Sequence, residues 1–243
     1  MAQQYSTVVL MMPSYFANAG FGELQQSRAY DLVMRAPLLV WSAFCAALQL
    51  AGLARYVREL DPALPFAVHA VNIAMRLSTI ALLLLLAAAV IVRARPTEKA
   101  RGIEPRASAL LGTCIIYAIP LFPRRDLAVT MEMVSTVLIL VGSAAAVVAL
   151  LRLGRSFSVM AEARYLVTSG PYRFVRHPLY LAEELAVVGV FIQFASVWTA
   201  LLLALQISFQ LRRMHNEEAV LAATFPEYTA YQARTSRLIP GIY

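Results

Sequence analysis

Residues 77–92 form an uncharged and almost wholly apolar run, and this run limits the chain to a few kinds of fold. With the apolar residues before it, the run extends over 66–92. That is more than the roughly 20 residues that cross the hydrocarbon core of a bilayer as a helix. Further apolar runs cover 36–53, 107–122 and 131–151. Repeated runs of this kind predict an all-α, multi-pass integral membrane helical bundle.

The composition of the 243-residue chain agrees, because 60% of its residues are hydrophobic and only 14% are charged. The formal net charge of +7 could also suit a nucleic-acid-binding protein. Here, however, the arginines flank the apolar runs, as in cytoplasmic loops of membrane proteins, so we expect no nucleic-acid partner. Cys45 and Cys114 lie inside apolar runs, which favours buried thiols over a disulfide framework. We expect no signal peptide and an irregular or interfacial segment at 1–31.

The basic residues between the apolar runs predict the orientation of the chain. The loop at 93–106 and the stretch at 152–176 are both rich in arginine. Cytoplasmic loops carry such an excess, and the two apolar runs between these stretches return the chain to the same side. We therefore predict a bacterial inner-membrane protein with its N-terminus and both basic stretches in the cytosol.

A longer apolar stretch at 181–211 exceeds the length of one untilted span at 1.5 Å per residue. A single crossing would also place the polar tail and the loop at 166–180 on opposite sides. A break at 193–196 would instead form a helical hairpin and return the tail to the cytosolic side. The sequence thus predicts about five or six membrane-spanning segments, the last two forming this hairpin.

His69, Asn72 and Arg76 follow one another at spacings of three and four, so they share one face of a helix. Ionisable side chains at membrane depth usually face protein or water, which favours a site wall. The alternative is that all three lie near the headgroups and that Arg76 extends toward them. The sequence leaves both interpretations open.

The loop at 166–180 differs from its apolar neighbours, because it concentrates glycine, proline, aromatic side chains, two arginines and a histidine. Gly170 and Pro171 indicate a turn, and Pro178 disfavours a helical conformation for His177. The sequence therefore predicts a shaped loop at a membrane boundary.

Side chains of this loop and of the tail suit a zwitterionic ligand with an aromatic ring. Tyr172 and Tyr180 offer ring faces and hydroxyls, and Glu217 could bind an ammonium group. Taken singly, the tyrosines could form an interfacial belt, and Glu217 could be the helical partner of Arg213. Together they favour a site. The sequence has no phosphate-binding loop, dinucleotide fingerprint or nucleophile elbow, and its histidines and cysteines lack metal-ligand spacing, so we predict no metal site.

Several motifs, in order and spacing, resemble the isoprenylcysteine carboxyl methyltransferase family. They are 153–158, 166–172, 176–180, Glu217-Glu218, 225–231 and 238–241. The resemblance covers about residues 150–241. It implies S-adenosylmethionine as cofactor, held in a cytosolic C-terminal region without a Rossmann domain. The chain is accordingly divided into transmembrane helices at 1–152 and a methyltransferase-like region at 153–243.

By motif position, the resemblance also implies which residues form the site. The cofactor-binding set is Arg164, Tyr165, Leu166, Val167, Gly170, Tyr172, His177, Pro178, Leu179, Tyr180, Glu217 and Glu218. The catalytic set is Arg213, which the resemblance puts near the acceptor, with Glu217 and Arg234; by charge, Arg213 or Arg234 would orient a carboxylate acceptor. The implied acceptor is a lipophilic small molecule that enters from the bilayer, a prenylcysteine-type carboxylate or a related compound.

Two other functions are compatible with the sequence. Membrane sterol reductases resemble the same C-terminal region, so an NADPH-dependent reductase is one alternative. Nicotinamide binding without S-adenosylmethionine binding would decide for it. A non-enzymatic membrane scaffold is the other alternative, and ligand binding would then survive substitution of His177 and Glu217.

Overall fold

The computed structural model describes residues 28–241, with side chains from Arg35 onward, and it is 73% helical. Its helices are α1 Arg28–Arg58, α2 Phe66–Val92, α3 Glu104–Cys114, α4 Val129–Leu153, α5 Pro178–Gln193, α6 Val197–Thr224 and α7 Tyr228–Arg234. Short 3-10 helices occupy Ile115–Leu121, Gly154–Ser156 and Gly170–Arg173, and two strands, β1 Glu98–Lys99 and β2 Glu162–Ala163, pair antiparallel. The predicted interfacial segment at 1–31 lies outside the described residues up to residue 27.

Three helices of the described residues are long and apolar enough to cross a membrane. They are Arg35–Arg58, Phe66–Val92 and Val129–Ser156. The predicted all-α membrane class is confirmed, and the predicted run at 66–92 coincides with α2. The number of crossings beyond these three stays a prediction. The predicted span at 107–122 is a short α3 that continues as a 3-10 helix containing Pro120, because proline cannot donate an α-helical hydrogen bond.

Helices α4 and α5 pack closely through small residues. A Cβ atom added at Gly142 would lie 2.5 Å from the backbone nitrogen of Ala186, and one at Gly189 would lie 2.7 Å from the backbone oxygen of Ser135. The Ser135 hydroxyl donates a hydrogen bond of 2.8 Å to the Gly189 carbonyl. Small residues let helix backbones approach closely inside a membrane, so these positions fix α5 against α4.

The two ends of the helix bundle formed after Ser42 carry different connections. At one end, the backbone nitrogen of Arg125 donates to the Gln193 carbonyl at 2.9 Å, beside the turn between α5 and α6. This turn lies at the predicted hairpin break, where Ser196 forms a capping box at the start of α6. At the other end, β1 and β2 join the basic loop at 93–106 to the basic stretch at 152–176.

The polar face of α2 forms a local cluster at the end of that helix remote from β1. His69 Nδ1 lies 2.9 Å from the Tyr56 hydroxyl, and its Nε2 lies 3.0 Å from the Asp61 carbonyl. The Arg76 guanidinium lies 5.3 Å from the centre of the Tyr56 ring, and Asn72 bonds to its own helix backbone. These contacts favour a structural role for the cluster over a site wall.

Candidate functional site

A cleft that is partly open to solvent lies at the end of the bundle where β1 and β2 pair. Its lining residues are Leu153, Ser156, Ser158, Met160, Glu162, Tyr165, Leu166, Val167, Tyr172, Arg176, His177, Leu179, Tyr180, Glu217, Leu221, Tyr228 and Tyr231. Both the loop before α5 and the last two helices therefore contribute walls.

The turn at Gly170–Arg173 positions Tyr172 in this cleft. Gly170 has φ +63°, a conformation that favours glycine, and a Cβ atom there would lie 3.0 Å from Cγ of Arg152. The carbonyl of Tyr172 accepts a hydrogen bond of 2.5 Å from the Tyr231 hydroxyl. Helix α7 is thereby bonded directly to the turn.

The tail after α7 continues this connection along the backbone. The backbone nitrogen of Arg176 donates to the Ser236 carbonyl at 2.9 Å, and that of His177 donates to the Arg237 carbonyl at 3.1 Å. The loop at 166–180 and the polar tail, which lie far apart in sequence, are therefore neighbours at one end of the bundle.

Glu218 is a buried carboxylate, 5% exposed, that joins the loop to the tail. It accepts hydrogen bonds from Arg176 Nε at 2.8 Å and from Arg237 at 2.6 Å, and it lies 3.1 Å from His177 Nε2. Burial acts to raise the pKa of Glu218, but the hydrogen bonds from these three side chains outweigh it and hold the pKa well below its usual range. Glu218 therefore stays ionised as the centre of the loop–tail junction.

This junction predicts a loss of stability in acid. The folded-state pKa of Glu218 lies below that of an unfolded glutamate, which is about 4.3. The ionised carboxylate therefore stabilises the fold above that pH, and the stabilisation is lost as the pH falls below it toward the folded-state pKa. We expect the melting temperature of the detergent-solubilised protein to fall over this interval, and Glu218→Gln to flatten the fall. Equal slopes of melting temperature against pH for wild type and Glu218→Gln would contradict this role of Glu218.

Glu217 follows in the chain but faces the cleft, because successive helical side chains point about 100° apart. The Tyr180 hydroxyl donates to its carboxylate, and Arg213 Nε lies 3.2 Å from the same oxygen. The Arg213 guanidinium also lies 4.6 Å from the centre of the Tyr180 ring and donates to the Thr113 hydroxyl at 3.1 Å. These contacts hold the arginine behind the cleft wall.

Tyr172, Tyr228 and Tyr231 in the cleft are protonated hydrogen-bonding groups at neutral pH. Burial raises the pKa of Tyr231 to about 12, and it raises those of Tyr172 and Tyr228 further. Tyr228 is 1% exposed, and its hydroxyl has no hydrogen-bond partner among the described residues. A buried hydroxyl without a partner is costly, so this group suits a polar atom of a bound ligand.

The structure divides the predicted site residues into those that line the cleft and those that do not. The lining group is Tyr165, Leu166, Val167, Tyr172, His177, Leu179, Tyr180 and Glu217. The others are Arg164, Gly170, Pro178, Arg213, Glu218 and Arg234. Arg164 is buried and donates to the Ala94 carbonyl and to Glu162, each at 2.7 Å, which ties β2 to the basic loop. Arg234 is exposed at the end of α7.

Several lining residues were not among the predicted site residues. They are Leu153, Ser156, Ser158, Met160, Glu162, Arg176, Leu221, Tyr228 and Tyr231. Four of them, Ser156, Ser158, Met160 and Glu162, belong to the segment between α4 and the loop, which the β1–β2 pairing brings to the cleft. The available signals were the motifs at 153–158, 176–180 and 225–231, which indicate these regions but not which side chains face a ligand. Among the described residues, no group of three or more histidine, cysteine or acidic side chains could hold a metal ion.

Comparison with known proteins gives a family match within this region. Residues 134–223 match the model of the isoprenylcysteine carboxyl methyltransferase (ICMT) family, so the predicted resemblance is confirmed for that stretch. The match supports a membrane methyltransferase in general.

Two curated relatives are similar over a shorter stretch. The cobalt-zinc-cadmium resistance protein CzcN of Cupriavidus metallidurans is 36% identical over 78 residues, which are 32% of this chain and 36% of the relative. The nickel-cobalt-cadmium resistance protein NccN of Alcaligenes xylosoxydans xylosoxydans is 35% identical over 78 residues, 32% of this chain and 37% of the relative. The chain thus spans little more than a third of the length of these relatives.

Proposed function

We propose that this protein is an integral membrane methyltransferase that uses S-adenosylmethionine to methylate a lipophilic acceptor. The proposal rests on one observation above all: the loop at 166–180 and Glu217 of α6 meet at one cleft within the family-matched region. The resemblance favours an acceptor of the prenylcysteine-carboxylate kind or a related small lipophilic molecule. The polar side chains of α5 bear on which group of that molecule reacts.

The residues of the cleft fit this cofactor by charge and shape. Tyr172 and Tyr180 provide aromatic faces that attract a flat base or a cation. Glu217 is a carboxylate at the wall that can bind the ammonium of an amino acid. The Tyr228 hydroxyl is a buried group that lacks a partner among the described residues. Such a site suits a molecule that combines an aromatic ring, hydroxyls and positive charges.

The chain contributes position and electrostatics, while the cofactor, when bound, supplies the electrophilic methyl group. Orientation of two reactants can provide a large part of the rate enhancement, so rigid walls matter more here than acid or base groups. The Arg213 side chain is fixed by Glu217 and by the Tyr180 ring. The Glu218 junction holds His177 and the start of α5 in register with α6. These contacts would keep the acceptor aligned with the methyl group.

The membrane geometry supports a cytosolic cleft. Both basic stretches, 93–106 and 152–176, lie at the cleft end of the bundle. The positive-inside rule places such stretches in the cytoplasm. We propose that the membrane is a bacterial inner membrane and that the cleft lies on its cytosolic side. A soluble cofactor would then enter from the cytosol, while a lipophilic acceptor would approach from the bilayer.

The proposal is tested with the purified full-length chain in lipid nanodiscs. We expect calorimetry to show binding of S-adenosylmethionine, and methyl-labelled cofactor to transfer its label to lipophilic acceptors. NADPH binding without S-adenosylmethionine binding would contradict the proposal and favour a reductase. Unchanged cofactor binding after substitution of both His177 and Glu217 would also contradict the proposed site.

Tyr228→Phe tests the unpartnered hydroxyl. We expect this change to weaken S-adenosylmethionine binding about five- to ten-fold, the value of one hydrogen bond to a ligand, without lowering the melting temperature. The matched variant is Tyr231→Phe, which removes a hydroxyl bonded to the Tyr172 carbonyl. It should lower stability by about 1 kcal/mol. Equal cofactor affinity in wild type and Tyr228→Phe, measured by calorimetry, would show that the hydroxyl does not face the ligand.

A further inference from the structure

Helices α5 and α6 carry two rows of polar side chains that meet between them, here called the polar ladder. Its members are Tyr180, Glu183 and Glu184 on α5 and Gln206, Gln210, Arg213 and Glu217 on α6. Their spacings of three and four residues put each row on one helical face. The stretch at 181–211, predicted from sequence to be apolar, therefore has a polar face.

Side-chain contacts cross from one helix to the other along the ladder. Gln206 Nε2 donates to Glu184 at 2.8 Å, and Gln210 Nε2 donates to Glu183 at 3.3 Å. Closer to the cleft, Tyr180 donates to Glu217. The ladder therefore runs without interruption from the cleft wall into the hairpin.

Packing alone does not require these polar groups. Helix α5 is fixed against α4 through glycines, and α6 packs against α3, where a Cβ atom at Gly112 would lie 3.4 Å from the backbone nitrogen of Gln210. Long glutamate and glutamine side chains span the separation between α5 and α6. Ionisable groups inside membrane helices are costly and usually mark a functional path or site.

The ladder contains buried acceptors without donors. Gln206 and Gln210 are 3% and 2% exposed, and their Oε1 atoms have no hydrogen-bond partner among the described residues. Their Nε2 groups already donate to the two glutamates. The remaining capacity is therefore for accepting hydrogen bonds, and a ligand group with several N–H donors would satisfy it.

The charges of the ladder point to the same kind of ligand. Glu183, Glu184 and Glu217 are acidic, whereas Arg213 is basic and already paired with Glu217. Tyr180 of α5 lines the cleft, and Glu183 follows it by three residues on the same helical face, so Glu183 lies about one turn from the cleft wall. A carboxylate acceptor would meet repulsion here, and a cation would be attracted.

We propose that the polar ladder binds the reacting group of the acceptor, and that this group is an amine held between Glu183 and the Gln210 amide oxygen. This inference rests on the proposed function. The acceptor arrives as an ammonium and gives one proton to the Glu183 carboxylate. The lone pair so released forms the new N–C bond as the C–S bond of the methyl donor breaks, and sulfur keeps the electron pair of that bond. The proton then leaves Glu183 for solvent.

The test compares two acceptors with the same tail, farnesylamine and N-acetyl-S-farnesylcysteine, using the full-length protein in nanodiscs and methyl-labelled S-adenosylmethionine. We expect label in the amine. Glu183→Gln should reduce kcat for the amine at least about ten-fold and remove the acidic limb of its pH profile. Gln210→Met is a second variant in case Glu183→Gln folds poorly, and it should weaken amine binding. The control is Glu132→Gln, an acid on α4 paired with Arg124 at 2.7 Å outside the ladder, which should behave as wild type.

The inference would be overturned if wild type and Glu183→Gln formed a base-labile methyl ester on the cysteine acceptor equally well. If neither acceptor is labelled, the binding affinities of wild type and Glu183→Gln for farnesylamine test the amine site instead. Tighter binding by wild type than by Glu183→Gln supports the amine site, and equal binding overturns it. Absence of S-adenosylmethionine binding in calorimetry would instead contradict the proposed function, so the two failures are distinguishable.

Discussion

Glu218→Gln is expected to abolish methyl transfer and to lower the free energy of unfolding by about 3–5 kcal/mol. The change removes the negative charge that Arg176 and Arg237 share in a buried position. Breaking a buried ion pair by removing one partner is costly because the remaining charge keeps its desolvation penalty. The start of α5 and the tail would then separate, and the cleft would lose its shape. Thermal unfolding in detergent and the labelled-methyl assay measure the two effects.

Glu227→Gln is the matched control, because Glu227 is exposed and lies beside the same helices. Surface substitutions of this kind usually change stability by less than about 0.5 kcal/mol. Similar losses in both variants would show that the Glu218 junction has no special role.

Gly142→Ala is expected to have the second largest effect, a loss of about 1–3 kcal/mol. The added Cβ would lie 2.5 Å from the backbone nitrogen of Ala186 and 2.7 Å from the carbonyl of Ala182. Backbone atoms cannot move aside as a flexible side chain can, so α5 must shift away from α4. Because α5 begins in the cleft wall, we expect cofactor affinity to fall together with stability. Chemical denaturation and calorimetry measure these quantities.

Gly52→Ala provides the comparison within another membrane helix. Its added Cβ would lie 3.0 Å from a terminal nitrogen of Arg76, and a long side chain can move by that amount. We expect a neutral effect or a small gain, since alanine is a better helix former than glycine. Equal stability of Gly142→Ala and wild type would contradict the close α4–α5 packing.

The helical framework follows from local patterns in the sequence. The run at 66–92 has the length and composition of a span, and the structure has a helix with those bounds. The break at 193–196 is also local, because Ser196 can cap the following helix by itself. Such features depend on neighbouring residues and are therefore accessible without a structure.

Other features depend on contacts between distant residues. The average hydrophobicity of 181–211 conceals Glu183 and Glu184, because apolar neighbours dominate the mean. The difference between Glu217 at the cleft and Glu218 at the tail depends on the rotation of α6, which packing against α3 determines. The segment around Glu162 reaches the cleft only through pairing of β2 with β1. Single-sequence patterns carry no information on these contacts.

Photolabelling tests the central claim, that the loop before α5 and the end of α6 form one site for the methyl donor. Full-length protein in nanodiscs is irradiated with radiolabelled S-adenosylmethionine, digested and mapped by mass spectrometry, with excess unlabelled cofactor as competitor. We expect competable label in two segments, 153–180 and 217–231. Label that is not competed, or that lies in the first two helices, would contradict a shared site.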